Sequence, residues 1–491
     1  IGPTTIDGKA MMLYHIDADN PIIYQANKQT ILASFEVLVR LPKTTKVDFN
    51  QQWNLYYWTQ GNDGAVSEAP QSIALRALPA LNGKQPKKFV WEFWSGGTHV
   101  YDDQRLVNEI LDTSRQAGFN KYQASSQKDF NDKVRSYGLD PFLTIHFKDG
   151  RTMDITKPYL AQHPDEGLVD KNGKLSDSYM CTTELLGKNW PMFEKSIEDI
   201  TKSSGAAAIE YDYEYPPFNP PHACFDARCL AAFRAFSKID DSVELTPAIV
   251  QKDYPKQWVD FMAYRTAILL KKMKDAVHAA NSKVLFTAYS GYYNAKDDTT
   301  KTRYGIDWNL VGEMQSVDQA GMGYGRPADS IDDSIKALRG IPVKFGELLV
   351  PYDKHSRQPV APMLKSTLLR RALDATGGVL IYTRASMDGR SWTAVADVSR
   401  LTADYEDVFL NKTSVDLPGQ DAANVQIAKG AKHTLLCVMN PSRSKESTFA
   451  LQVPEGLGNG KEYYTGETIK SGQKLQIKLA PGDAKVFLFG D

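Results

Sequence analysis

The run Ala206-Ala-Ala-Ile-Glu-Tyr-Asp-Tyr-Glu-Tyr-Pro216 sets three carboxylates, Glu210, Asp212 and Glu214, at alternate positions. Side chains of a β-strand alternate between its faces, so all three fall on one face. Ionised together in a buried setting, they would repel one another and lose their hydration, which is costly. Beside a substrate pocket the same crowding raises one pKa and leaves a carboxylic acid able to give up a proton. Cleavage of a glycosidic bond needs such a donor at the leaving oxygen, with a second carboxylate or the substrate itself stabilising the cation. Glu214, last on the strand, is the expected donor. The plainer alternative is an acidic cluster paired with Arg or Lys, or one holding a cation.

Another carboxylate, Glu347 in Phe345-Gly-Glu347-Leu-Leu, falls near the end of an expected strand; its plainer role is a salt bridge to Lys344 or Arg384. Trp94, His146, Tyr289, Tyr292, Tyr324, Tyr382 and Trp392 fall at the ends of expected strands or just beyond them. With Glu210 they are expected to bind substrate, because aromatic faces stack on sugar rings while Tyr and His supply hydrogen bonds. No His-x-His or His-Glu-x-x-His occurs, so neither a metal site nor a cofactor is expected. Of the cysteines, Cys224-x4-Cys229 can be a short disulfide, half a metal site or two free thiols, and Cys437 reads as a buried apolar residue.

The elements that must position these residues form three blocks. Residues 1–85 read as a β-sandwich-like module, with strands such as Thr30–Arg40 and Trp53–Trp58 between turn clusters. Residues 86–411 alternate short apolar strands with amphipathic helices, the texture of a parallel sheet wrapped by helices. Strands are expected at 89–94, 119–124, 141–147, 206–214, 283–289, 316–324, 341–350 and 378–383. Eight such units fit a closed (β/α)8 TIM barrel, whose active site lies at the carboxyl ends of its strands. No Gly-x-Gly-x-x-Gly follows the first strand, which argues against a dinucleotide-binding sheet. Residues 157–188 read as a long loop over the cleft. Residues 412–491 read as a second β-sandwich. The flanking modules brace the barrel or assist homo-oligomer formation and substrate binding.

Composition narrows the partners. The chain has 491 residues, too many for one core, and a net charge of −1 that offers no field for nucleic acid. No apolar run approaches the roughly 20 residues that span a bilayer. The chain begins at Ile1 rather than Met, which suggests processing, and with a glycan substrate the expected location is secreted or periplasmic.

Two resemblances sharpen the reading. Ile209-Glu-Tyr-Asp-Tyr-Glu-Tyr-Pro216 resembles the strand-four motif of family 18 chitinases, Asp-x-x-Asp-x-Asp-x-Glu followed by Tyr-Pro. Asp212 and Glu214 match its last two acidic positions, and Ala207 and Glu210 replace the first two. Met322-Gly-Tyr324 resembles the same family's Met-x-Tyr, while its Ser-x-Gly-Gly is missing from Phe142–Phe147. This resemblance implies Glu214 as acid and Asp212 orienting a substrate acetamido group.

The second resemblance spans about residues 89–410. Asp212-Tyr-Glu-Tyr215, then Cys224-x4-Cys229-Leu-Ala-Ala-Phe-Arg-Ala-Phe236, is similar to family 42 β-galactosidases and other retaining glycosidases of their clan. Gly377-Gly-Val-Leu-Ile-Tyr382 and Arg390-Ser-Trp392 look like that clan's strand-eight region. It implies Glu214 as acid/base and Glu347 as nucleophile. Tyr213 stands where the clan has Asn, and the clan's cysteine cluster is reduced to two. The expectation is therefore a glycoside hydrolase acting on an oligo- or polysaccharide with retention, through Glu214 and Glu347. A substrate-assisted enzyme using Asp212 and Glu214, or a non-catalytic carbohydrate-binding barrel, is the alternative.

Overall fold

The computed structural model describes residues 2–6, 8–13, 46–58, 71–94, 103–146, 155–213, 218–222, 224–324, 330–348, 364–382, 387–415 and 417–490. They belong to two units, Ile1–Ala77 with Val350–Ala361, and Leu78–Leu349 with Pro362–Asp491. In the first unit, Gly2–Ile6 pairs antiparallel with Lys9–Leu13, and Gln52–Tyr57 with Gln71–Arg76. The expected strand Thr30–Arg40 lies outside the described residues.

The second unit holds a closed barrel of eight parallel strands in chain order: β1 (Val90–Trp94), β2 (Lys121–Gln123), β3 (Asp140–Ile145), β4 (Ala208–Asp212), β5 (Leu285–Gly291), β6 (Gln319–Tyr324), β7 (Val343–Leu348) and β8 (Gly378–Tyr382). β8 closes on β1, with Leu380 opposite Glu92 and Tyr382 opposite Trp94. The outward positions Trp91, Phe93, Ile209, Tyr211, Phe286, Ala288, Val343, Phe345, Val379 and Ile381 join the main core under the helices. Inward positions carry a different chemistry: Glu92, Thr144, Glu210, Thr287 and Lys344 are all buried. Such strands are covered on both faces, so they read as nearly continuous apolar runs interrupted by single charges.

Helix starts follow local chemistry. Asp103, Asp226 and Asp388 stand before the helices Gln104–Gln116, Ala227–Ser237 and Gly389–Asp404, and each side chain accepts a first-turn backbone N–H. The segment expected as a loop at 157–188 is instead built: helix Thr156–Gln162, an antiparallel pair Gly167–Val169 with Leu175–Met180, and helix Thr182–Leu186. Its turn is made by Asp170, whose carboxylate accepts from Asn172 N and Lys174 N, and by Gly173 at φ +79°. Glu166 anchors it, accepting from Lys188, Asn189 and Tyr159. Burial would raise that carboxyl's pKa, but these hydrogen bonds prevail and hold it at about 2.

Beyond Asn411 the chain forms a six-stranded sheet, in spatial order Thr413–Val415, Val425–Lys429, Thr434–Met439, Ala484–Phe489, Gly460–Glu462 and Thr468–Ile469, and a two-stranded sheet, Ser447–Gln452 with Lys474–Leu479. Val425, Ile427, Leu436, Val438, Phe487 and Phe489 share a core with Leu451, Ile477 and Leu479 of the smaller sheet. The alternate residues Ala428, Leu435, Cys437, Met439, Ala484 and Val486 join the core of the barrel. Polar contacts reinforce this seam: Ser366 Oγ donates to Asn440 O at 2.9 Å, and Tyr463 Oη to Asp404 Oδ2 at 2.6 Å.

Candidate active site

The carboxyl end of β4 brings the acidic strand to the rim of the barrel. Period-two alternation sends Ile209 and Tyr211 into the helix-side core, while Ala208 packs inside the barrel with Trp94, Phe142, Tyr289 and Leu380. Glu210 and Asp212 share the inward face with Ala208. Tyr213, which stands where the resembling clan has Asn, has turned to the helix layer, where its hydroxyl lies 2.9 Å from Thr266 Oγ1. Glu214 lies outside the described residues.

The two inward carboxylates of β4 have different surroundings. Glu210 has no exposure, and its Oε2 meets Lys344 Nζ at 2.6 Å and the Thr287 hydroxyl at 2.8 Å. Lys344 Nζ also donates to Glu92 Oε2 at 2.5 Å, and Glu92 Oε1 accepts from Trp94 Nε1 at 3.0 Å. Lys121 lies in the same interior; its buried ammonium has no hydrogen-bond partner among the described residues. Burial, then the Lys344 charge, pushes the Lys121 pKa down. Burial, then the Glu92 charge, pushes Glu210 up. Burial opposes the charge on Lys344, yet Glu210 and Glu92 raise its pKa and keep it an ammonium. Glu210 is therefore part of a structural ion cluster, the outcome that the plainer reading of the acidic strand anticipates.

Asp212 stands one layer higher. It is 7% exposed, and its Oδ2 is 4.0 Å from His146 Nε2, which follows the end of β3. Beside it, at the Asp212 level of β5, is Tyr289. The Tyr289 ring lies across β6: a Cβ on Gly323 would fall 2.0 Å from the Tyr289 hydroxyl oxygen, and one on Gly321 would fall 3.1 Å from the ring. Glycine is required at 323 by that close approach. Trp94 packs at 5.3 Å from Tyr289 and 5.8 Å from Tyr382, the latter 40% exposed at the rim. Asp212, His146, Trp94, Tyr289 and Tyr382 are thus brought to one end of the barrel, an acid and an imidazole above an aromatic floor.

Other expected residues fall elsewhere. Tyr292 stacks on Phe345 at 5.5 Å in the helix-side core. Trp392, on helix Gly389–Asp404, packs edge-on against Phe93 and Phe119. Large aromatic rings are filling the core there rather than a cleft. Tyr324 and Glu347 are described at the backbone: Tyr324 pairs with Gly291 and Glu347 with Ile381, both at strand ends. Lys344 faces the barrel interior while Val343 and Phe345 of the same strand face the helices. Asp318 also looks outward, to Lys274 at 3.0 Å and His278 at 2.8 Å.

The cysteines resolve differently from a local pair. Cys224 and Cys229 are free thiols, and Cys181, more than forty residues earlier, joins them: the three Sγ atoms lie within 4.8 Å of one another. Cys437 is free and buried in the C-terminal sheet, and burial pushes its thiol up to about 12. The sequence did carry a signal for Glu92, Lys121 and Lys344, because a lone charge inside an apolar strand has to be paired. No such signal marks Cys181.

No family model and no curated protein sequence matches the chain. Among solved structures, an alpha-galactosidase from Lactobacillus brevis is 12% identical with a TM-score of 0.47, over 83% of this chain and 55% of that one. This chain thus spans about half of that protein. An Anoxybacillus alpha-amylase is 9% identical with a TM-score of 0.46, over 82% and 93% of the two chains. A beta-galactosidase from the psychrophilic Marinomonas ef1 is 12% identical with a TM-score of 0.44, over 64% and 60%. Likeness this loose assigns neither substrate nor catalytic residues, since one barrel architecture hosts many chemistries.

Proposed function

We propose that the chain is a glycoside hydrolase that cleaves a glycosidic bond in an oligo- or polysaccharide at the carboxyl end of its barrel, with Glu214 as the proton donor. The observation that carries this reading is Asp212. It is a buried carboxylate on the inward face of β4, 4.0 Å from His146 and beside the aromatic group Trp94, Tyr289 and Tyr382. A carboxylate with a hydrogen-bonding ring above an aromatic floor suits a sugar, whose apolar face stacks while its hydroxyls are held. Glu214 follows two residues later in the sequence. Catalytic groups of such barrels come from strand ends. Glu347, whose backbone ends β7, is the proposed nucleophile of a retaining reaction, with Glu214 acting first as acid and then as base. Because Val343 and Phe345 face the helices, this role requires the alternation of β7 to break after Phe345. A glycan substrate fits a secreted or periplasmic protein.

A second reading is favoured by the burial of Asp212. There the substrate's own acetamido group attacks, Asp212 orients it, and Glu347 is not needed. Hydrolysis of a panel of aryl glycosides, with and without a 2-acetamido group, separates the readings. Glu214→Gln should lower kcat by about 10²–10⁴-fold on any cleaved substrate with an ordinary leaving group. Rescue of Glu347→Gly by azide, giving a glycosyl azide, marks the nucleophile. Turnover confined to 2-acetamido sugars and unaffected at Glu347 marks substrate assistance. Full activity in Glu214→Gln on every substrate cleaved would overturn the assignment, and sugar binding without turnover by the wild type would make the barrel a lectin.

A further inference from the structure

The buried tryptophans of the barrel unit differ in where their indole N–H groups go. On the helix side the acceptors are neutral: Trp91 donates to the Thr402 hydroxyl at 2.8 Å, Trp258 to Pro220 O at 3.0 Å and Trp308 to Gly291 O at 2.9 Å. A neutral acceptor is all that a buried indole requires. Trp94 donates instead to the carboxylate of Glu92, at 3.0 Å. Glu92 is buried, and a buried carboxylate is costly unless a cation pairs with it. Lys344, itself fully buried, supplies that cation at 2.5 Å from the other oxygen of Glu92. A buried ion pair therefore stands where a hydroxyl would satisfy the indole, and stability alone does not account for it.

The geometry gives a reason. Lys344 fixes one carboxylate oxygen, and the plane of the carboxylate then fixes the direction of the other. Glu92 and Trp94 are two residues apart on β1, so both point into the barrel, with Trp94 nearer the carboxyl end. To reach Glu92 the indole has to turn back along β1, toward the charged layer. There its ring meets three other strands, at Phe142 of β3 (6.1 Å), Tyr289 of β5 (5.3 Å) and Tyr382 of β8 (5.8 Å). Tyr382, exposed at the rim, stands edge-on to it at 76°. The exposed ring is thus braced by a buried ring whose own direction is set by a carboxylate.

We propose that Glu92, pinned by Lys344, is a positioning residue for the sugar platform: it keeps the Trp94 indole turned back against Tyr382 and Tyr289, and so fixes the aromatic surface on which substrate stacks. This rests on the reading that the carboxyl end of the barrel binds sugar. Glu92 lies a layer below the cleft and takes no part in bond cleavage. Stacking needs one ring face presented squarely to another, so a tilted platform weakens substrate binding more than it slows the reaction.

Glu92→Gln tests this, because an amide has one acceptor oxygen for two donors. Lys344 takes that oxygen, and the Trp94 N–H is left facing an NH2 group. With ¹⁵N-labelled tryptophan the chain gives eight indole signals, and Trp94→Phe identifies the one from Trp94. In Glu92→Gln that signal should move upfield and its proton should exchange faster with solvent. On the aryl glycoside that the wild type cleaves best, KM should rise about tenfold or more while kcat falls by less than about threefold. Where the wild type binds sugar without turnover, Kd takes the place of KM. A purely structural role would lower the fraction of active protein, cutting kcat and leaving KM alone. Should Glu92→Gln fail to fold, the benzothiophene analogue of tryptophan at position 94, with sulfur in place of N–H, removes the same bond from the other side and should raise KM alike. An unmoved indole signal in Glu92→Gln, or an unchanged KM in either variant, overturns the proposal and leaves the hydrolase reading intact. A wild type that neither cleaves a glycoside nor binds a sugar overturns both.

Discussion

The barrel and the C-terminal six-stranded sheet are both buried on two faces, yet they fill those faces differently. The sheet answers with aliphatic and aromatic residues on each side, Leu436 and Val438 on one and Leu435 and Cys437 on the other. The barrel does so throughout only on its helix side; inside it, the apolar cluster of Trp94, Phe142, Ala208, Tyr289 and Leu380 shares the space with charged residues. Its interior holds Glu92, Glu210 and Lys344 in a hydrogen-bonded cluster, with Lys121 nearby. A buried ion pair seldom beats well-packed apolar residues in stability. What separates the two sheets is position: the charged layer lies directly beneath Asp212 and Trp94, whereas the apolar sheet supports nothing but its neighbours. The charged layer thus lies under the aromatic residues of the proposed site, and Trp94 Nε1 joins the two by donating to Glu92 Oε1.

The largest effect that could break this comparison is Lys344→Met. Two buried carboxylates would lose their shared cation, and urea unfolding should show a loss of about 3–5 kcal/mol. Replacing Glu92, Glu210 and Lys344 together by apolar residues of similar volume should recover most of it. A Lys344→Met protein as stable as wild type would mean that the cluster is not held by charge.

On the apolar side, Leu436→Ala should cost about 2–5 kcal/mol, within the range for a buried leucine. Because the sheet shares its core with the barrel, calorimetry should still show one transition for this unit, and a separate early melt of residues 412–491 would count against the shared core. A smaller effect is expected at the seam, where Tyr463→Phe removes the bond to Asp404 at a cost of about 0.5–1.5 kcal/mol.

An effect of a different kind, one of pH, is expected at Asp298, half-buried in the loop after β5. Burial raises its carboxyl from 3.8 to about 7. The folded chain holds that proton more tightly than the unfolded one, so ionising Asp298 costs stability as pH climbs from 3.8, and the cost is complete above 7. Asp298→Asn should therefore raise Tm at pH 8 and leave it unchanged below pH 4. An equal shift at both pH values would show that the gain is not ionic.

Much of this architecture was legible in the residues because it is local. The alternation of Ala206–Glu214, the capping aspartates and the long amphipathic helix each follow from spacing within one element, and the eight barrel strands appear close to their expected bounds. The built segment at 155–189 was less legible, although Asn172-Gly173 between two short runs is a hairpin signal. What could not be read was anything that depends on barrel shear. The meeting of Lys344 with Glu92 and Glu210 joins three strands far apart in the chain, and strand spacing alone does not fix which inward residues share a layer. Cys181 is hidden for the same reason, since its partners become neighbours only when two separate loops fold over one another. Tyr292 and Trp392 show the converse: an aromatic ring at or near a strand end is as ready to fill the helix-side core as to face a sugar.

The double-sided burial of the C-terminal sheet also bears on how this chain can be handled. Ala428, Leu435, Cys437, Met439, Ala484 and Val486 lie in the barrel's own core, and Ser366 reaches across to Asn440. A version ending after Asn411 would leave a greasy scar on the barrel wall and should collect in inclusion bodies. An engineer who wants the barrel alone would first have to repaint the helix Lys365–Asp374 with polar residues.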